Sequence, residues 1–319
     1  MKKAGAPTLD QLQVFLTIVE ADGFAAAARR LNRAPSAISY AVAQLELQLG
    51  LELFDRGSAK RPVLTEAGRA VLGEARTVAT SVDGLRAKVT GLLGGLEAQL
   101  SLVVDVLLPT ERLVDALQGF RENFPTVALR LHVEALGAVT QLVLDGVAHL
   151  GVSGQLDLDV GEDRLRRRPV GEVRLIPVAA PFHPLARDDA SRPGASQGHV
   201  QLVLSDRSTL TAGRDFGVFG VDTWRLADLG SKHALLRAGV GWGNMPEPMV
   251  REDLAKGRLV RLKLADWNGG DFALSAVHRI DHPPGPAGRW LIERFAAQAA
   301  PRRPAPRAGS PGRKSSHGA

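Results

Sequence analysis

The chain has 319 residues, 45% hydrophobic and 23% charged, so it is long enough for two or three domains with cores of their own. It contains no cysteine, which excludes disulfides and cysteine-ligated zinc. No run approaches the roughly 18 consecutive apolar residues of a membrane span, and no apolar core of a secretory signal follows the first lysines, so a cytoplasmic location is expected.

Three short helices are predicted at the N-terminus. The first runs from Leu9 to Ala21 with Thr8 as its N-cap, the second from Phe24 to Leu31, and the third from Pro35 to Leu49. A proline fits the first turn of the third helix, because its missing N–H would be unpaired there. Two helices joined by such a tight turn are typical of a helix-turn-helix, whose second helix enters a major groove.

Residues 51–64 follow as a predicted β-hairpin wing with a basic tip, which completes a winged helix-turn-helix DNA-binding domain over residues 8–64. Base-edge contacts specify a sequence and phosphate contacts position the protein. The expected DNA-binding residues are Arg33, Pro35, Ser36, Ser39, Tyr40, Arg56, Lys60 and Arg61. For each basic residue taken singly, a solvated surface charge is the alternative.

A long helix is predicted from Thr65, within a linker over residues 65–95. Its apolar residues recur at alternating steps of four and three, as in the seam of a coiled coil. This pattern favours a dimer over packing against its own domain, with an interface formed by Val71, Val78, Val82, Leu85, Val89 and Leu92. Gly94 and Gly95 suggest a hinge at the end of the helix.

Strands and helices then alternate over residues 96–300, which predicts an α/β domain with a parallel sheet. The first lobe takes residues 96–172 and 275–300, and the second takes residues 173–274. Two crossings of the chain between the lobes predict a hinged body with a central cleft.

Polar and aromatic residues near strand ends and helix starts are candidates to bind a small effector in this cleft. A helix N-terminus behind Thr110 offers free N–H groups, and guanidinium groups bind carboxylates, so a small organic anion is the expected ligand. The candidate set is Thr110, Ser153, Ser205, Arg207, Trp224, Arg225, Trp242 and Asn244. Capping, salt bridges and core packing are the alternative roles.

No catalytic, cofactor or metal site is expected. The glycines of residues 239–243 lack the spacing of a nucleotide-binding loop, and no nucleophile elbow occurs. His278, Asp281 and His282 have near-metal spacing but adjoin a proline-rich segment without a further histidine or cysteine nearby.

All five charged residues of the last segment, 301–319, are basic, so most of the formal net charge of +6 lies there. The segment is rich in proline, glycine, serine and alanine and is predicted to be a disordered basic tail. A non-specific DNA-binding role and a solvated terminus without a role are both open.

Residues 8–68 resemble the winged helix-turn-helix of the LysR-type transcriptional regulators. The matching positions are Phe24, Ala27, Ala28, Leu31, Ser39, Leu45, Glu46, Leu49, Gly50, Leu53, Phe54, Arg56, Leu64, Thr65 and Gly68. The resemblance continues loosely through Pro125, residues 182–186 and residues 239–241, and implies a linker helix and a periplasmic-binding-protein-like effector domain. It also implies a homodimer or homotetramer that binds an inverted-repeat operator in double-stranded DNA and contacts RNA polymerase.

Two departures from the family pattern stand out. Tyr40 occupies a position where the family often has a basic residue, which implies an unusual base preference. His149 replaces a commoner acid ahead of a strand. Two alternatives to a LysR-type regulator are a periplasmic-type solute-binding protein, which needs no helix-turn-helix, and a nucleoid-type DNA binder without an effector.

Overall fold

The computed structural model describes residues 5–55, 62–156, 163–187 and 190–299. The chain divides into two compact units, Met1–Gly94 and Gly95–Ala319. The first unit contains α1 (Leu9–Glu20), α2 (Phe24–Arg30), α3 (Pro35–Leu49) and α4 (Glu66–Leu93), with a two-stranded antiparallel ribbon of β1 (Phe54–Asp55) and β2 (Val63–Leu64). The predicted order of three short helices, wing and long helix is confirmed. The wing tip, residues 56–61, and the predicted tail lie outside the described residues.

Local sequence signals set the ends of these helices. The Thr8 side chain and Gln11 form a capping box at the start of α1. At α4 the Thr65 hydroxyl oxygen accepts a hydrogen bond of 2.8 Å from the Gly68 N–H. Gly50 ends α3 with a φ of +73°, a left-handed conformation that glycine adopts without steric cost.

The first strand of the wing is attached to both α3 and α4. The Glu46 carboxylate accepts hydrogen bonds from the backbone N–H groups of Leu53 at 2.7 Å and Phe54 at 3.3 Å. A Cβ on Gly68 would lie 2.1 Å from the Leu53 carbonyl oxygen, so only glycine lets α4 approach this closely. Glu46 and Gly68 therefore fix how α3 and α4 pack against the start of the wing.

The second unit contains nine described strands and six described helices. The strands are β3 (Gln99–Asp105), β4 (Ala128–Glu134), β5 (Leu150–Gly154), β6 (Leu165–Ala179), β7 (Gln201–Leu204), β8 (Thr223–Leu226), β9 (Gly243–Pro246), β10 (Val260–Arg261) and β11 (Gly270–Arg279). The helices are α5 (Thr110–Asn123), α6 (Gly137–Leu144), α7 (Pro184–Arg187), α8 (Leu229–Arg237), α9 (Glu247–Ala255) and α10 (Pro286–Ala297). None of the described helices combines the length and apolar character needed to cross a membrane.

The main sheet has seven strands in the order β10-β6-β11-β5-β3-β4, with β9 paired to β6. The parallel arrangement expected from the sequence holds for β3, β4 and β5, whereas β11 is antiparallel to both β5 and β6. β7 and β8 form a separate parallel pair. We call β3–β5 with α5, α6 and α10 the first lobe, and β7–β10 with α7–α9 the second lobe; β6 and β11 run through both.

Candidate DNA interface and effector cavity

α3 separates a buried apolar face from an exposed polar one. Ile38, Val42 and Leu45 are buried in the core of the first unit. The opposite face presents the residues expected to contact DNA, and all of them are exposed: Pro35, Ser36, Ser39 and Tyr40. Tyr40 is 67% exposed although its ring is largely apolar, so its side chain is available to a partner.

Arg33, expected to contact a phosphate, is paired within the unit. Its two terminal nitrogens donate to the Asp10 carboxylate at 2.8 and 2.7 Å. This fork-shaped contact holds the pKa of Asp10 below its usual value. A DNA phosphate would therefore have to share the Arg33 guanidinium with Asp10, or displace Asp10 from it. Arg56, Lys60 and Arg61 lie outside the described residues.

The apolar seam of α4 is divided between two environments. Val71 is half-buried against the core of its own unit, so part of its surface is used within the protomer. Val82 is half-buried, and the exposed seam residues are Val78, Leu85, Val89 and Leu92. From Val78 onward, this apolar face is thus without a covering surface among the described residues of the first unit.

A cavity of about 430 Å³ lies between the two lobes of the second unit. The first lobe contributes Leu136, which lies just before α6, to the cavity lining. The second lobe supplies the loop after β7, the following turn and β8, through residues 204–206, 208, 211–216 and 225.

Asp206 connects the lobes at the rim of this cavity. Its carboxylate accepts a 2.8 Å hydrogen bond from the Ala138 N–H, in the first turn of α6. The hydroxyl groups of Ser208, at 2.8 Å, and Thr211 donate to the same carboxylate. A negative charge is favourable here because the N-terminus of a helix carries a partial positive charge.

Asp105, the last residue of β3, is close enough to Asp206 for their charges to interact and is only 1% exposed. Its Oδ1 accepts a 2.9 Å hydrogen bond from the Leu107 N–H, and the backbone N–H groups of Gly154 and Leu136 also stabilise the carboxylate. Burial raises its pKa to about 7, and the nearby negative charge of Asp206 adds to the rise. Neither acid was a sequence candidate, although an aspartate that ends an otherwise apolar strand is a readable signal.

Of the sequence candidates, Ser205 and Arg225 line the cavity between the lobes. Arg225 forms an ion pair with Asp215, another lining residue. Thr110 opens α5 as expected and lines a second cavity of about 580 Å³, which also lies between the lobes because residues of α8 and α9, such as His233, form its other side. The sequence therefore grouped residues that belong to two cavities.

Ser153 and Trp242 are buried in the structure and do not line these cavities. The Ser153 hydroxyl lies 3.2 Å from that of Thr140 and donates to the Gly154 carbonyl at 3.0 Å, so its hydrogen bonds are internal. Trp242 packs in an apolar cluster of the second lobe. These two expectations are corrected: Ser153 is buried within β5, and Trp242 is buried just before β9, where it forms a bridge with Gln201.

Asn244 is likewise engaged within the second lobe, where its side-chain oxygen accepts a 2.9 Å hydrogen bond from Trp267. Arg207 and Trp224 are exposed and outside the lining of either cavity. Trp224 and Arg225 are neighbours on a strand, so their side chains point to opposite faces and only one can reach the cavity. His149, immediately before β5, accepts a 3.1 Å hydrogen bond from the Ser101 N–H.

Comparison with known families matches both units. Residues 9–69 match the family described as bacterial regulatory helix-turn-helix protein, lysR family, and residues 93–300 match the LysR substrate binding domain. The second match alone covers more than half of the chain.

Characterised relatives and solved structures agree with this match. The chain is 28% identical to the transcriptional regulator AceR of Acinetobacter baumannii, covering 89% of this chain and 95% of AceR. It is 29% identical to PunR of Escherichia coli K12, covering 88% and 90%. A variant of Corynebacterium glutamicum OxyR and a full-length BenM variant share the fold, each with a TM-score of 0.50 and 20% identity. These alignments cover 93% of this chain and 94% of OxyR, and 92% of this chain and 96% of BenM. The chain therefore belongs to the LysR family of DNA-binding transcriptional regulators, with a helix-turn-helix and a two-lobed domain for a small-molecule effector.

Proposed function

We propose that this regulator reads an inverted-repeat operator as a homodimer, or as a pair of dimers, and that a small effector binds in the cavity between its lobes. The regulator acts on RNA polymerase in the cytoplasm and catalyses no reaction. The observation that carries the DNA part is the exposed polar face of α3, backed by a fully buried apolar face.

Ser36, Ser39 and Tyr40 are the residues we assign to base edges. They follow one another at helical spacing on the same exposed face, so one major groove can receive all three. Hydroxyl groups can donate or accept, whereas the Tyr40 ring adds apolar contact without a charge. Arg33 would exchange its Asp10 partner for a phosphate, which adds affinity but little sequence preference.

The exposed seam of α4 supports a two-fold dimer. A row of valine and leucine side chains along a helix is buried when a second copy of the same helix packs against it. A two-fold dimer presents two recognition helices, and such helices bind half-sites spaced by whole turns of the duplex.

The test is selection of DNA fragments from the organism's own genome with purified full-length protein, followed by footprinting and titration. Tyr40→Ala and Ser39→Ala should each weaken binding to the selected site by about 5–150-fold, the range for one base contact, while non-specific binding persists. Tyr40→Phe removes the hydroxyl and keeps the ring, so it distinguishes their contributions to binding. Ser81→Ala, which changes an exposed serine of α4, is the matched control. Unchanged affinity in Tyr40→Ala and Ser39→Ala would exclude this face of α3 from base recognition.

A further inference from the structure

A loop of the second lobe, residues 205–211, forms hydrogen bonds to α6 of the first lobe at two points. The Asp206 carboxylate accepts a 2.8 Å hydrogen bond from the Ala138 N–H, in the first turn of the helix. One turn further along, the Thr209 hydroxyl donates to the Gln141 side-chain oxygen at 3.1 Å. The loop therefore follows the start of α6 rather than touching it at a single atom.

The same loop also packs closely on the first lobe. Leu210 lies against a buried apolar cluster that β3 and α6 supply and that includes Val139. Gly137 permits the close approach, because a Cβ there would lie 2.6 Å from Thr211 Cγ2 and 2.7 Å from Ser208 Oγ. Apolar burial and hydrogen bonds thus connect the lobes at one place.

The loop holds its own carboxylate ready for this contact. The hydroxyl groups of Ser208 and Thr211 donate to Asp206, which directs the side chain toward α6. A carboxylate is favourable at the start of a helix, where free N–H groups and the helix dipole attract anions. Because the chain supplies this acid itself, the lobes can be held together here without an acid from a ligand.

The cavity of about 430 Å³ is lined by residues of this loop, among them Ser205, Asp206, Ser208 and Thr211. A ligand in the cavity therefore contacts the loop directly, and any anion that it brings to the start of α6 has to displace Asp206. We propose that residues 205–211 form a latch between the lobes and that an effector in this cavity releases the latch. This inference rests on the proposed effector role of the cavity. A ligand shifts such an equilibrium only through contacts that differ between the two states, and the latch residues supply such contacts.

The latch can be tested by measuring the distance between the lobes in the full-length protein. The chain contains no cysteine, so spin labels can be placed on Glu122→Cys of α5 and Gly198→Cys of the second lobe, both exposed positions. Excess unlabelled protein keeps most labelled chains apart. Asp206→Ala should raise the ratio of separated to closed lobes by about 2–30-fold, the effect of one lost helix cap, and adding Leu210→Ser should raise it further. Asp222→Ala, which changes an exposed acid outside the latch, should leave the distances unchanged.

An unchanged distance distribution in the Asp206→Ala, Leu210→Ser double variant would overturn the latch. It would leave the proposed function standing, since neither DNA nor effector enters the measurement. Asp206→Asn repeats the test with the shape of the side chain kept. If the lobes separate, affinity for the DNA site selected with the wild-type protein should change by about fivefold or more, as in ordinary allosteric coupling. Separated lobes with unchanged DNA affinity would overturn the regulatory role of the latch, whereas wild-type protein that selects no DNA site would count against the proposed function instead.

Discussion

Replacing Gly137 by alanine should break the contact between the lobes without altering any polar group. Gly137 opens α6, and a Cβ there would lie 2.6 Å from Thr211 Cγ2, 2.7 Å from Ser208 Oγ and 3.2 Å from Asp206 Oδ2. Because real Cβ atoms do not approach this closely, the second-lobe loop that carries these three side chains must move away from α6. The hydrogen bond from the Ala138 N–H to Asp206 is then broken.

The size of the effect follows from the hydrogen bond that this movement breaks. An N-terminal helix cap contributes about 0.5–2 kcal/mol, and the Ser208 and Thr211 bonds to Asp206 persist because all three residues lie in the loop that moves. The destabilisation of the second unit should be about 0.5–2 kcal/mol, or a fall in melting temperature of about 1–8 °C for a domain of this size.

Unfolding can be followed by tryptophan fluorescence, since all four tryptophans lie in the second unit: Trp224, Trp242, Trp267 and Trp290. Gly198→Ala is the control, because a Cβ at Gly198 meets nothing within 4 Å. Its effect should stay within about 0.5 kcal/mol. If the destabilisation acts through the cap, Gly137→Ala should cost less in an Asp206→Asn background than alone. Wild-type stability in Gly137→Ala, or full additivity in the double variant, would refute the reasoning.

Four further outcomes are expected. Leu85→Glu places a charge on the 62%-exposed seam of α4 and should shift sedimentation at micromolar concentration toward the monomer, whereas Lys88→Glu should not. Lys232 is 3% exposed, and burial lowers its pKa to about 7. Between pH 7 and about 10.5 the unfolded chain therefore binds more protons than the folded chain, so the free energy of unfolding should rise with pH. Lys232→Met should flatten that rise in urea titrations. Asp105 acts in the opposite sense, because between pH 3.8 and about 7 its carboxyl stays protonated in the folded chain and is ionised in the unfolded chain. The free energy of unfolding should therefore fall as pH rises across that window, and Asp105→Asn should remove the part of the fall that Asp105 causes. Gly68→Ala, which would press a Cβ against a backbone oxygen at 2.1 Å, should unfold the first unit at lower temperature by circular dichroism, and an unchanged transition would show that α4 can shift freely.

The architecture of the first unit could be read from the sequence because its determinants are local. Thr8 and Thr65 cap the helices that follow them, Gly50 ends α3, and Pro35 opens α3. The periodicity of α3 also indicates its buried face, since Ile38, Val42 and Leu45 recur at steps of four and three along one side of the helix.

The first half of β6 cannot be predicted from its own sequence, because its pairing is not local. Residues 165–172 carry three consecutive arginines and a proline, which do not form the apolar run of a buried strand. The segment is a strand because β11 pairs along its length, from Leu165 opposite Arg279 to Leu175 opposite Gly270. That pairing joins residues about a hundred positions apart, and no local pattern encodes it.

The effector cavity depended on tertiary structure in the same way. The sequence indicated Ser205 and Arg207 as effector candidates, yet only the fold brings their neighbour Asp206 to the N-terminus of α6, 68 residues earlier in the chain. Only the fold buries Asp105 and places Thr110 in another cavity. The sequence by itself determined the helix-turn-helix, the seam and the α/β class, since these rest on spacing along the chain. The contact of Asp206 with α6 and the burial of Asp105 were decided by the tertiary structure, because both depend on residues that are distant in sequence.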